Sequence, residues 1–514
     1  MPVTYTPSTI SRYAGNPLVE ALPPGLADQE IIDRLQSYPP VSKQDLLLPT
    51  KDRMACVSAL YDVFQPTMFH LNLANVLSTI LREGYHGRNP ADPSTLAHSH
   101  WLATQGLDGA PRPHPGKLTA RSVFVTGLSR MGKTRAIERI LSLYPQVLQH
   151  TNYCGQPLPL TQVTWLKVST PKNGSLRDLS LAFFMALDDL FGGDLYTQQA
   201  MRHTRGDTAL IPLVRKKARE LSLGVLVVDE LQRLSLLRSK GKTEIQKFLH
   251  SLIDEVGIPV VFIGTYQAYE VFSGSLQETA RIAGVGCYEL TRPSKGSAEW
   301  EFLVETLWRF QWLKNAQPLE SIILDKLYDI TQGVTEVLVT LLVIAQWKAM
   351  QAGEERITTD ILKEIENNEL GPLKAPLQAL ASGVPSRLKT YEDLIPSTDI
   401  RNGITGSAYD GLLEWSIKSV VTEAINERLG SAPLATPPSD NESHEATKGL
   451  VPRNAIDPSA KITNSHDKPA VADLRDLSSQ PDALGELAKS GMLLSPSAML
   501  DPIRPDLASE SIDD

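Results

Sequence analysis

Eight consecutive residues, Gly127-Leu-Ser-Arg-Met-Gly-Lys-Thr134, constrain this chain more than any other feature, because they fit the pattern G-x-x-x-x-G-K-[ST]. They follow an apolar, β-branched run, Ser122-Val-Phe-Val-Thr126, and precede a helical segment, Arg135-Ala-Ile-Glu-Arg-Ile-Leu141. A strand, a glycine-bounded loop and a helix N-terminus together wrap backbone N–H groups around a phosphate, and the helix dipole favours its charge. Gly127, Leu128, Ser129, Arg130, Met131, Gly132, Lys133, Thr134 and Arg135 are therefore the expected nucleotide-binding residues. Lys133 would reach the β and γ oxygens of ATP, and the Thr134 hydroxyl would hold Mg2+.

A phosphate loop needs an acidic partner, and Leu223-Gly-Val-Leu-Val-Val-Asp229-Glu230 supplies one. A short apolar run of this kind suits a central parallel strand buried on both faces. Its C-terminal end is where ligands bind in open α/β sheets. Asp229 would share the metal with Thr134, and Glu230 would polarise the attacking water. A carboxylate directly after the metal-binding aspartate points to hydrolysis of ATP.

Val163-Thr-Trp-Leu-Lys-Val168, Ile258-Pro-Val-Val-Phe-Ile263 and Gly286-Cys-Tyr-Glu-Leu290 read as further strands with amphipathic stretches between them. That alternation implies an α/β fold with a parallel sheet between helices. Thr265, which with Gly264 follows the second of these strands, fits a catalytic sensor beside the γ-phosphate. Residues 297–314, 319–331, 335–350 and 358–368 read as successive helices. A parallel core with a small helical lid is the architecture of AAA+ phosphate-loop ATPases. Such proteins assemble as rings or filaments and complete each site with a neighbour's arginine. Arg281 is the candidate for that catalytic role, with Arg292 as the alternative. The lid segment Gln332-Gly-Val-Thr-Glu-Val-Leu-Val-Thr340 has no arginine that could reach the phosphates.

The chain resembles the transposition regulators of the TnsC/TniB type over roughly residues 10–370. Asn16-Pro-Leu-Val-Glu-Ala-Leu-Pro23, Gly84-Tyr-His-Gly-Arg-Asn-Pro90 and Cys287-Tyr-Glu-Leu-Thr-Arg-Pro293 carry the more discriminating part of that likeness. The phosphate loop, Val227-Val-Asp-Glu-Leu-Gln232 and Phe262-Ile-Gly-Thr265 carry the rest. The resemblance implies an ATPase that self-associates on double-stranded DNA without sequence preference. It also implies two protein partners, a target-selection protein of the TnsD/TniQ type and the transposase subunits. Two other readings of the residues stay open: a different nucleic-acid ATPase such as a helicase loader, and a nucleotide-gated interaction switch without DNA.

Charge bears on the DNA expectation. The net charge is −9, but residues 117–315 carry 25 Lys+Arg against 18 Asp+Glu, net +7, whereas residues 432–514 carry 7 against 14, net −7. A mildly basic core with an acidic tail suits a DNA-facing core better than the total does. The segment Lys-Val-Ser-Thr-Pro-Lys-Asn-Gly174 offers Lys167, Thr170, Lys172 and Asn173 as backbone-phosphate contacts. The denser run Arg215-Lys-Lys-Ala-Arg219 reads as an exposed helix face.

The domain reading follows from composition. Residues 1–116 form an N-terminal module in which 52–84 reads as one or two helices, with Phe64, Phe69, Leu71 and Leu73 as core. It is either a platform for targeting proteins, as the resemblance implies, or a packing extension of the ATPase. Residues 117–296 form the core, 297–370 the lid, and 371–430 an extension with a helix at 408–429. From 431 to 514 hydrophobic periodicity is lost, as in a disordered acidic tail, apart from Ala483-Leu-Gly-Glu-Leu-Ala-Lys-Ser-Gly-Met-Leu-Leu494, a candidate docking peptide. Three scattered cysteines, Cys56, Cys154 and Cys287, exclude a disulfide framework and a cysteine-rich zinc site. No run is apolar enough to span a bilayer, so a cytoplasmic, non-membrane protein is expected.

Overall fold

The computed structural model describes residues 3–97, 120–172, 175–202, 210–236, 239–268, 284–388, 390–391 and 394. Contacts divide the chain into Met1–Pro437 and Pro438–Asp514, and every described residue belongs to the first unit. Arg281, Asn173, the helix expected at 408–429 and the apolar island at 483–494 lie outside the described residues.

Five strands form one parallel sheet: β1 Ser122–Gly127, β4 Trp165–Ser169, β5 Val225–Asp229, β6 Val260–Ile263 and β7 Cys287–Leu290. Their spatial order is β4-β5-β6-β1-β7. In β1 and β5 every residue is buried, as two-sided cover by helices requires. Side chains alternate between the two faces with the period of two that a strand imposes. Phe124, Leu226 and Val228 join the core beneath helices Leu176–Phe191 and Ile211–Glu220. Val123, Val125, Val225 and Val227 join the opposite core, beneath the N-terminal helices and Lys133–Leu141. The arrangement is the AAA phosphate-loop ATPase fold.

Two elements differ from the sequence expectation. The stretch 163–168 is not one strand. Val163 ends the second arm of an antiparallel hairpin, β2 Val147–Tyr153 and β3 Gln156–Val163. The chain then breaks at Thr164, whose hydroxyl donates to Gln146 O at 3.0 Å, before entering the sheet as β4. The helix expected at 297–314 stops at Trp308. Phe310, Trp312 and Leu313 continue buried and non-helical, because Gln346 takes over their backbone pairing. Its Oε1 accepts from Trp312 N–H at 2.9 Å and its Nε2 donates to Phe310 O at 3.1 Å.

The N-terminal residues pack as a layer on the ATPase core. Helix Met68–His86 lies so close to the sheet that a β-carbon at Gly84 would stand 2.4 Å from Pro259 Cδ. The adjacent Tyr85 is fully buried and its hydroxyl donates to Ser222 O at 3.0 Å. Val57, Leu60 and Val63 belong instead to the apolar core of the lid, which is built by helices Ala298–Trp308, Ser321–Thr331, Thr335–Gln351 and Thr359–Asn368.

A buried ion pair fixes that second contact. The Arg53 side chain is 0% exposed and forks onto Glu355, Nη2 to Oε1 at 2.5 Å and Nη1 to Oε2 at 2.7 Å. Nη1 also donates to Trp312 O at 2.8 Å. The hydrogen bond from Arg53 holds the Glu355 carboxyl below its ordinary value of 4.5. A depressed carboxyl contributes stability above its ordinary value and loses it as pH falls through the lowered one. Glu355→Gln leaves the guanidinium buried without its counter-charge, so urea unfolding at pH 7 should show a loss of about 3 kcal/mol or more. The gap from wild type should narrow once the pH is below 4.5, the ordinary value, and keep closing as the wild-type carboxyl protonates.

Candidate nucleotide site

Every strand of the sheet delivers its C-terminal end to one edge, and the expected residues meet there. Gly132 has φ +94, a conformation natural to glycine, and begins helix Lys133–Leu141. The helix places Thr134 beside the end of β5 across the intervening β6, and Thr134 Oγ1 donates to Asp229 Oδ2 at 2.9 Å. Lys133 is buried, and its ammonium donates to Gly127 O at 3.0 Å and Leu128 O at 2.7 Å. Glu230 has φ +58, and its carboxylate accepts from Gln232 Nε2 at 2.7 Å. Gln232 Oε1 in turn accepts from the Thr265 backbone N–H at 3.3 Å. The Thr265 hydroxyl is buried without a hydrogen-bond partner.

These groups open into one cavity of about 500 Å³, within the range of small-molecule sites. Ser129, Arg130, Met131, Gly132, Lys133, Thr134, Arg135, Asp229, Glu230 and Thr265 line it. Gly127 and Leu128 stand behind that lining: Gly127 ends β1, and Leu128 is buried with Met131 in an apolar cluster. Arg135 donates to Tyr61 O at 2.6 Å, and its guanidinium lies 5.8 Å from the centre of the Phe64 ring. Partial burial, then the neighbouring Arg139, lowers its pKa.

The donor set suits a nucleotide with magnesium. A hydroxyl and a carboxylate 2.9 Å apart are hard oxygen ligands that leave the remaining positions of a magnesium ion to phosphate and water. Among the described residues no group of three His, Cys, Asp or Glu side chains could hold a metal by itself. The partnerless Thr265 hydroxyl at the same edge fits a phosphate oxygen or a water.

Sequence reasoning missed two walls. Tyr61, Phe64, Gln65 and His70 come from the N-terminal layer, and Phe302, Glu336 and Val339 come from the lid. No local motif marks them; the signal was only that Phe64 looked like core. His70 is nearly fully buried, and its Nδ1 accepts from Thr67 N–H at 3.0 Å, capping helix Met68–His86. Burial pushes its pKa down to about 4.

Other expected residues fall differently. Thr170 is 0% exposed, and its hydroxyl donates to Asp229 O at 2.8 Å. The DNA-contact expectation for Thr170 is therefore corrected: its side chain braces the β5 end and has no surface to offer a phosphate. Lys167 is partly exposed and pairs with Glu138, and Lys172 is exposed. Arg292 donates to Gln332 O at 2.9 Å and Tyr328 Oη at 3.4 Å, joining the end of β7 to the lid. The basic run is tied up by acids, Arg215 with Glu255 at 2.9 Å and Lys217 with Glu220 at 2.7 Å.

Fold and site define an AAA-type phosphate-loop ATPase domain. Residues 117–272 match the family model described as AAA domain. No curated protein matches the chain. Among solved structures it is similar to a Walker-type ATPase of Pyrococcus abyssi, at 12% identity and TM-score 0.35, over 63% of this chain and 88% of that one. It is also similar to domain III of the replication initiation protein DnaA of Thermotoga maritima, at 14% identity and TM-score 0.29, over 54% and 94%. At those scores neither likeness carries a functional argument. Among the described residues no helix is long and apolar enough to cross a membrane.

The His70 site makes a pH prediction. Its ordinary value is 6.5 and its folded value about 4, so between them the unfolded chain holds the extra proton and stability falls as pH falls. The limiting slope is about 1.4 kcal/mol per pH unit. His70→Gln keeps a side chain able to cap the helix and removes the titration. Denaturant midpoints between pH 6.5 and 4.5 should decline less steeply in the variant; parallel curves would show that His70 titrates normally.

Proposed function

We propose that this protein binds ATP with Mg2+ in the cavity and hydrolyses it to drive assembly on double-stranded DNA. On this reading it links a target-selection protein of the TnsD/TniQ type to transposase subunits during DNA transposition. The observation that carries the catalytic part is the convergence of Lys133, Thr134, Asp229, Glu230 and Thr265 on one cavity. Magnesium, when bound, would neutralise charge on the β- and γ-phosphates. Lys133 would leave its loop carbonyls for phosphate oxygens, and Thr134 and Asp229 would hold the metal. Glu230, steadied by Gln232, would orient water, and Thr265 would donate toward the γ-phosphate side. Phe64 and Phe302, both in the cavity lining, offer apolar surface to the base. Arg281 of a neighbouring subunit would complete the site in trans.

The transposition part rests on the resemblance carried by residues 16–23, 84–90 and 287–293. In the fold the first two of these motifs touch. Asn16 Nδ2 donates to Tyr85 O at 2.8 Å, and Asn89 Nδ2 donates to Gly15 O at 3.2 Å. Those bonds hold the N-terminal layer together, and residues of the same two motifs tie it to the ATPase core, where Gln162 Nε2 donates to Leu18 O at 2.9 Å and the Tyr85 hydroxyl donates to Ser222 O at 3.0 Å. Lys172 remains the exposed candidate for backbone phosphate.

Sedimentation with and without ATP and duplex DNA tests the proposal. Wild type should pellet only with both. Lys133→Ala should lose ATP binding and assembly together. Glu230→Gln should bind ATP and stay assembled while hydrolysis drops roughly 100-fold or more, the scale of a lost general base. ATP binding without any DNA-dependent assembly would favour an interaction switch. Assembly without capture of transposase subunits would favour a helicase loader.

A further inference from the structure

The lid carries no arginine toward the phosphates, yet one cation does bridge the loop and the lid, and it comes from the loop. Arg130 Nη1 lies 2.6 Å from Glu336 Oε1. The Glu336 backbone N–H donates to Arg130 O at 3.2 Å, so the contact holds main chain as well as side chain. Both residues line the cavity that holds Lys133, Thr134 and Asp229. Glu336 sits in the first turn of helix Thr335–Gln351, where the helix dipole favours a carboxylate.

Two features make this pair exchangeable. Its side chains are 56% and 51% exposed, and ion pairs so open to water are weak. Arg130 also has φ +64, a backbone setting that a non-glycine residue holds only when its surroundings insist. A guanidinium binds phosphate through two parallel N–H···O bonds, which are stronger than one exposed contact to a carboxylate. Polyphosphate therefore competes for Arg130 with advantage, and the more so the more terminal charge it carries.

We propose that Arg130 is a phosphate-responsive latch, exchanging between Glu336 of the lid and the terminal phosphate of a bound nucleoside triphosphate, so that the lid's attachment to the loop reads the phosphate count. The proposal rests on the nucleotide-site reading. It gives the lid a way to sense the triphosphate although its own helix offers a carboxylate there: the arginine sits on the opposite side of the joint. Glu336 then acts as a positioning residue, holding Arg130 for the lid until phosphate draws it away.

Titration of the full chain with fluorescent ATP and ADP analogues tests it through a double-mutant cycle. Arg130→Gln keeps a β-carbon at the same backbone position. It should weaken the triphosphate roughly tenfold, the scale of one charge-assisted hydrogen bond, and the diphosphate little. Glu336→Gln should tighten the triphosphate roughly two- to fivefold by removing a weak competing pair, again sparing the diphosphate. In the Arg130→Gln background, Glu336→Gln should change nothing. Equal tightening with and without Arg130 would mean that Glu336 only repels phosphate, and equal effects on both nucleotides would mean that the count is not read. Either result overturns the latch while leaving the nucleotide site intact. Wild type that binds neither analogue overturns both readings. Thermal melts of the variants should match wild type, since both side chains are half in water.

Discussion

The hydrogen bond from Thr134 to Asp229, 2.9 Å long, depends on more of the chain than any other contact in the site. The two residues belong to units that are not neighbours in the sheet, since β6 lies between β1 and β5. The bond forms only if both strands end level, and the register provides that: Val125 stands opposite Ile263, and Val228 opposite Phe262. A slip of one residue would turn every side chain of a strand to the other face. Because both faces are buried under separate cores, such a slip is disfavoured by packing. The hydrophobic alternation therefore fixes where a hydroxyl and a carboxylate meet.

What could be read directly from the sequence was what is local. The phosphate loop, its flanking strand and helix, and the acidic end of β5 each lie within a dozen residues, where propensity, spacing and turn chemistry act together. Long-range contacts were not legible in the same way. The cavity's walls at His70 and Glu336 are separated from the loop by roughly 60 to 200 residues, and nothing in their own segments announces a ligand. Thr170 illustrates the same limit in reverse. A threonine in a polar, glycine-containing stretch reads as exposed, but its N–H and hydroxyl both donate to Asp229 O. The hairpin Val147–Val163 was missed because Val163 and Trp165 look like one apolar run, whereas Thr164 turns the chain between two different sheets.

The motif at residues 84–90 also becomes physical once seen in the fold. Gly84 is glycine because Pro259 leaves no room for a β-carbon. Tyr85 and Arg88 reach Ser222 O at 3.0 Å and Leu223 O at 2.8 Å, the carbonyls just before β5. Desolvation lowers the Arg88 pKa to about 10, and the bonds from its Nε to Gly84 O and its Nη1 to Leu223 O offset part of that cost. These residues recognise the base of β5, whose other end carries Asp229 and Glu230. One strand thus joins the N-terminal layer to the chemistry by a rigid connection five residues long.

The lid is anchored differently, and the difference suggests which of its contacts can move. Arg53, its side chain fully buried, ties it to the N-terminal layer with a fork onto Glu355, and breaking such a pair without its replacement is costly. Arg292 ties it to the end of β7 through Gln332 O. Arg130 ties it to the phosphate loop, and of these three arginine contacts it alone is a pair in which both side chains are half exposed. A ligand in the cavity acts on the weakest of the three. With the other two held, loss of this contact would loosen only the start of helix Thr335–Gln351 at the phosphate loop, with no need for detachment.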